Sequence, residues 1–181
     1  MFFNMTVTQA TSPLDDARTC VKNYYDSQCF VREESNRNDG SEITGYFHYI
    51  GIKYLDHASA DKRRWCGAFQ ANAWGHCGIS IPFVKTMAAL ASVDAWSRAK
   101  IYQVTINKAD TGDIVSYKFR HVEGIYERHP NPAFPYFTAC GGNTSAPRAY
   151  RHERDGVWKK VRMWREVARV ISLEKVLEGA S

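Results

Sequence analysis

What most constrains this chain is a change of pattern near its middle. Apolar residues recur at helical spacing before about residue 100 and give way to β-branched and aromatic runs after it. Ser12-Pro13 marks the first helix start, with a serine N-cap, proline in the first turn, and Asp15 and Asp16 facing the positive end of the dipole. Leu14, Ala17, Val21 and Tyr24 then share one face, which predicts a helix to about Ser27. Asn38-Asp39-Gly40-Ser41-Glu42 opens a second, short helix, with Ile43, Tyr46, Phe47 and Ile50 in phase and Gly51 as its stop. Cys66, Phe69, Ala73 and Cys77 define a third, closed at Gly78, and Met87, Leu90, Ala91 and Trp96 predict a fourth over 82–99. The runs 101–106, 113–119, 121–126, 134–139 and 157–164 then read as strands, divided by Gly, Asn, Asp and Pro. Helices followed by strands imply an α+β fold.

A length of 181 residues with 44% apolar and 24% charged residues suits one ordered domain over 1–181, and no repeat or proline-rich linker suggests a second. The net charge of +5 calls for an anionic partner. Lys and Arg are dispersed rather than gathered on one recognition element, so nucleic acid is not the expected one. The opening Met1 to Val7 has neither a basic n-region nor a full apolar h-region, and no stretch is apolar for long enough to span a bilayer. Synthesis in the cytoplasm without a signal peptide and no integral membrane association are therefore expected. A substrate elsewhere requires another delivery route.

The five cysteines are odd in number, so at least one lacks an intramolecular partner. Cys20 and Cys29 are a pair that an oxidising compartment would allow to close. No Cys-x-x-Cys occurs, and His76-Cys77 has no companion at zinc-site spacing, so neither a metal nor another cofactor is expected.

Cys66 stands apart. At a helix N-terminus, beside Lys62, Arg63 and Arg64, it meets the backbone dipole and cations that favour thiolate over thiol. Cations at a helix start oppose the helix itself, and such a broken local rule points to a site. On these features alone, a buried structural cysteine beside a solvated basic turn remains equally open.

Arg64-Trp65-Cys66-Gly67-Ala68-Phe69 resembles the Pro-Trp-Cys-Ala-Ala-Phe motif of CHAP-type amidases, the cysteine- and histidine-dependent hydrolases related to the NlpC family. Val31-Arg32-Glu33 and Asn38-Asp39-Gly40 upstream are similar to that family's Val-Arg-Glu and Asn-Asp-Gly. Downstream, Gly112-Asp113-Ile114-Val115, His121-Val122-Glu123-Gly124-Ile125 and Gly141-Gly142-Asn143-Thr144 resemble its Gly-Asp-Ile-Val, His-Val-Gly-Ile and Gly-Asn-Thr segments. The order holds from about residue 20 to 165. The resemblance implies a papain-like fold, with the nucleophile's helix packed on an antiparallel sheet that carries the histidine.

It also implies Cys66 as nucleophile, His121 as base and Asn143 as the residue that orients the imidazole. Arg64 replaces the family proline, and some relatives place a glutamate where this chain has Gly141. Glu123 reads as an insertion. A bulge there would leave His121 in place, whereas a shifted register would make His129 the next candidate.

The implied activity is cleavage of an amide in peptidoglycan, as an N-acetylmuramoyl-L-alanine amidase or a stem-peptide endopeptidase, with the carboxylate-bearing stem peptide as partner. A phage lysin released through a holin and an injected antibacterial toxin with a cognate immunity protein are the two settings expected for such a chain. Both would act in the periplasm or cell wall. A non-catalytic peptide- or wall-binding module and a cytoplasmic thiol protease or deamidase are the alternatives.

Overall fold

The computed structural model describes residues 11–53, 59, 62–131 and 133–179; the expectation for the opening Met1 to Val7 lies outside them. Ser12 caps α1 (Pro13–Gln28), its hydroxyl accepting from the Asp15 N–H at 3.1 Å. α2 (Ser41–Tyr49) begins after Gly40, whose φ of 131° only glycine adopts readily. α3 (Cys66–His76) starts at the cysteine itself.

The helix expected over 82–99 is broken. Met87–Ala91 forms a 3-10 turn, and only Val93–Ser97 is helical, as α4. Tertiary contacts account for the break: the Trp96 indole takes the Leu90 carbonyl at 3.0 Å, and Ser92, in extended backbone, caps Asp94 to restart the helix. That same Leu90 carbonyl lies where a Cβ on Gly67 would stand, so the turn packs directly on α3.

The strands are β1 (Gln103–Val104), β2 (Ile114–Tyr117), β3 (Val122–Arg128), β4 (Tyr136–Thr144), β5 (Gly156–Met163) and β6 (Val167–Ile171). They form one antiparallel sheet in the order β1-β6-β2-β3-β4-β5. The fold is thus α+β. β1 is shorter than the run 101–106 suggested, because 3-10 turns flank it. Neither β6 nor α5 (Leu173–Gly179) is anticipated from the sequence; Asp113 accepts the Leu173 N–H at 2.9 Å and ties the start of α5 to β2.

One sheet face carries Ile114, Val122, Cys140, Val157 and Ile171 against Val21, Tyr25, Ile43, Phe47, Phe69 and Trp74 of the helices. Tyr25, Gln70 and the Cys140 carbonyl form a buried chain of hydrogen bonds, at 2.6 and 3.1 Å, that fastens α1 and α3 to β4. The opposite face holds a smaller cluster that includes Val115, Ile125, Phe137 and Val170.

Cys20 pairs with Cys77, not Cys29, and links α1 to the end of α3. Cys20 and Cys29 sit on one helix roughly 13 Å apart along its axis at 1.5 Å per residue, too far for a disulfide. Among the described residues, no helix is long and apolar enough to cross a membrane.

Candidate active site

Trp65, at the N-cap of α3, offers no side-chain acceptor, so the first N–H groups of the helix are free for other partners. The N–H of Gly67 turns to the Cys66 sulfur, as does that of Val122 from β3. Trp65 itself is locked by its indole N–H donating to Glu33 Oε1 at 3.1 Å and by stacking on Tyr46. Cys66 is therefore held rigidly, with only 2% of its surface exposed.

His121 closes the tight connection between β2 and β3, its carbonyl accepting the Tyr117 N–H at 3.1 Å and its own N–H donating to Phe119 at 2.8 Å. Its ring stands beside the Cys66 thiol, and each group favours the charged form of the other. Nε2 faces the other way, 3.2 Å from Glu123 Oε1 and 3.0 Å from Thr144 Oγ1. The structure brings two of the three expected site residues together and supplies a different third.

Glu123 is fully buried. Arg162 donates to both its oxygens, Nε at 2.8 Å and Nη2 at 2.6 Å, and the Tyr117 hydroxyl donates at 2.5 Å. Burial pushes this carboxyl up, but the His121 and Arg162 hydrogen bonds and charges outweigh it and hold it well below the usual carboxylate range. Burial likewise favours neutral His121, and its bonds to Cys66 and Glu123 reverse that, raising it to about 9. Burial alone would raise the Cys66 thiol; His121 and the two backbone N–H groups bring it below its ordinary value. Both shifts run toward a thiolate beside an imidazolium, the charge pair that makes a cysteine nucleophilic.

Asn143, the expected orienting residue, does not hydrogen-bond the His121 ring. Its amide donates to Glu33 Oε1 at 3.2 Å and to the side chain of Asn38. The reason is local: β4 loses register with β5 between Gly141 and Thr144, and Asn143 takes φ of 56°. That turns its side chain toward the loop before α2 and presents the Thr144 hydroxyl to the histidine. Every member of Gly141-Gly142-Asn143-Thr144 has a task. Gly142 admits the Trp65 ring, and a Cβ on Gly141 would stand 2.6 Å from Glu123 Cγ. The space that a side chain at 141 would fill is occupied by the glutamate from β3.

Glu123 pairs regularly with Val115, so it is not bulged; the irregularity of β3 lies further on, between Ile125 and Glu127. His129 packs against Phe134 and Tyr136, with Nδ1 engaged at Asn131, and does not line the cleft at Cys66. Sequence reasoning missed Glu123, Thr144 and Arg162 as site residues. The available signal was the spacing His121-Val122-Glu123, which puts both polar side chains on one side of the chain as it enters the strand.

The sulfur lies at the junction of two cavities, about 630 and 330 Å³, that share Arg64, Cys66 and Arg120. Ile52, Ala88, Ala91 and Val93 wall the larger one; His121, Asn143, Ser145, Lys160 and Arg162 line the smaller. Comparison of the chain with family models, curated proteins and solved structures returns no match.

Proposed function

We propose that this protein is a cysteine amide hydrolase of papain-like layout whose substrate is a peptidoglycan peptide. The observation that carries the chemistry is Cys66 coupled to His121, which is hydrogen-bonded to Glu123 with Arg162 behind it, at a cleft. The Cys66 thiolate adds to the amide carbonyl. The carbon–nitrogen bond then breaks as the His121 imidazolium gives its proton to the departing amine, leaving a thioester on Cys66. Neutral His121 next takes a proton from water as the water oxygen attacks the thioester; the carbon–sulfur bond breaks, releasing the acid and restoring the thiolate beside the imidazolium.

Glu123 keeps the ring oriented and the imidazolium favourable, the part that a buried carboxylate plays behind a catalytic histidine. The N–H groups at the uncapped start of α3 are well placed to stabilise a developing oxyanion. The choice of peptidoglycan draws on the CHAP-type motif around Cys66 and on the cations at the cleft, which suit the free carboxylates of stem peptides.

The test is incubation of wild type and Cys66→Ala with intact peptidoglycan, followed by mass analysis of soluble fragments. Wild type should release cleaved stem peptides and the variant none, since loss of the nucleophile removes the covalent route entirely. Binding of both proteins to the sacculus with no fragments from either would make the protein a non-catalytic wall-binding module. Cleavage of other thiol-protease substrates but not of muropeptides would leave the chemistry and overturn the substrate.

A further inference from the structure

We propose that the smaller cavity binds a carboxylate on the amine half of the scissile amide through Lys160, with Arg64 and Arg120 at its lip; this rests on the hydrolase reading above. Direction follows from the proton. His121 must deliver its proton to the departing nitrogen, so the amine half lies on the side of Cys66 that His121 lines. That side is the smaller cavity, which His121 shares with Asn143, Ser145, Lys160 and Arg162. The acyl half is left with the larger cavity and its walls of Ile52, Ala88, Ala91 and Val93.

The cations of the smaller cavity differ in what they have to spare. Arg162 is committed to Glu123 by two hydrogen bonds. Arg120 meets Asp94 at 3.1 Å, but both groups are more than half exposed, a pairing worth little in water. Arg64 is exposed and has no hydrogen bond or ion pair among the described residues. Lys160 is the preorganised one: its ammonium rests on the Ser145 carbonyl at 2.9 Å and hydroxyl at 3.2 Å, which leaves a third N–H for a ligand. Its half-burial, followed by the Arg162 charge, holds it below the usual lysine range, so an arriving anion relieves an existing cost. Among the described residues, no carboxylate lines either cavity to compete with it.

The larger cavity also has a cation, Lys62 at its rim, but that side chain is exposed and among the described residues has no anchor comparable to Ser145. The substrate class is therefore a peptide amide whose amine half is acidic.

The experiment compares N-acetylalanyl-glutamate with N-acetylalanyl-glutamine amide, its neutral counterpart, and with N-acetylglutamyl-alanine amide, which moves the charge to the acyl half. Two readouts are taken: kcat/KM for cleavage, and protection of Cys66 from iodoacetamide, which needs no turnover. The first peptide should exceed both others by about tenfold in each readout, in line with a charge-assisted hydrogen bond of at least 1.4 kcal/mol. Lys160→Gln should bring the ratio close to one and Lys160→Arg should retain most of it. Equal protection by all three peptides, or a ratio that survives in Lys160→Gln, overturns the carboxylate site, even if all are cleaved. Selective protection without cleavage keeps the site and removes the hydrolase reading instead.

Discussion

Two glutamates lie buried on either side of the strand end at Gly141 to Thr144, and they are satisfied in opposite ways. Glu123 is held by charge: Arg162 bonds both oxygens and His121 stands beside them, with the Tyr117 and Thr144 hydroxyls adding neutral donors. Glu33, 2% exposed, receives neutral donors: the Trp65 indole, the Asn38 backbone N–H and the Asn143 amide. The first arrangement makes the carboxylate an electrostatic instrument, since its charge decides the protonation of the histidine beside it. The second makes the carboxylate a fastener, holding three separate segments by geometry. A charge-coupled group should reveal itself in pH dependence, and a fastener in stability.

The sharpest break of this comparison is Glu123→Gln, which keeps the shape and removes the charge. Amide hydrolysis should fall by about 10²–10⁴-fold, the range for a positioned acid–base system. The pH profile of Cys66 alkylation is the more diagnostic measurement. In wild type the thiolate–imidazolium pair persists until His121 loses its proton near pH 9. Without the carboxylate the imidazolium is less favoured, so that alkaline limb moves down, while the acid limb, at which His121 stays protonated on both sides, does not move up. The alkaline limb should move by about one pH unit, equivalent to roughly 1.4 kcal/mol. An unchanged profile would mean that Glu123 does not govern the ion pair.

Glu33→Ala should behave in the opposite sense. Removing the acceptor orphans the Trp65 indole, at about 1–3 kcal/mol for a buried donor left unsatisfied, and takes one of its two bonds from the Asn143 amide. A loss of roughly 3 kcal/mol should lower the melting temperature by about 6–12 °C for a chain of this size. In the protein that remains folded, the alkylation profile should keep both limbs. A shift matching that of Glu123→Gln would dissolve the distinction between the two carboxylates.

The same contrast explains what could be read from the sequence. α1 and α3 were legible because Ser12, Pro13, Asp15 and Asp16, or the in-phase Cys66, Phe69 and Ala73, act within one element. The break within 82–99 was not, because it depends on the Leu90 carbonyl meeting Trp96 and Gly67 across the fold. β6 was missed because Val167–Ile171 follows directly on a 3-10 turn at Trp164–Glu166, with no Gly or Pro to announce a new strand. Cys66 and His121 could be singled out by motif, since each keeps its place relative to a regular element. The third partner could not: Asn143 and Glu123 are two polar residues on neighbouring strands, and only the lost register after Gly141 decides which one reaches the imidazole.

Asn143→Ala therefore isolates the smallest effect and tests the assignment most directly. Alanine at φ of 56° costs about 1 kcal/mol in the left-handed region, and the lost bond to Glu33 adds about as much. Stability should fall by roughly 2 kcal/mol on those two contributions, measured by denaturant midpoint at unchanged slope. The reactive pair should barely notice, because the Asn143 amide bonds Glu33 and Asn38 rather than His121. Hydrolysis by the folded variant should stay within about threefold of wild type, less than 1 kcal/mol of barrier. A loss as large as that of Glu123→Gln, with the alkaline limb displaced, would return Asn143 to the histidine and require the end of β4 to rearrange when substrate binds.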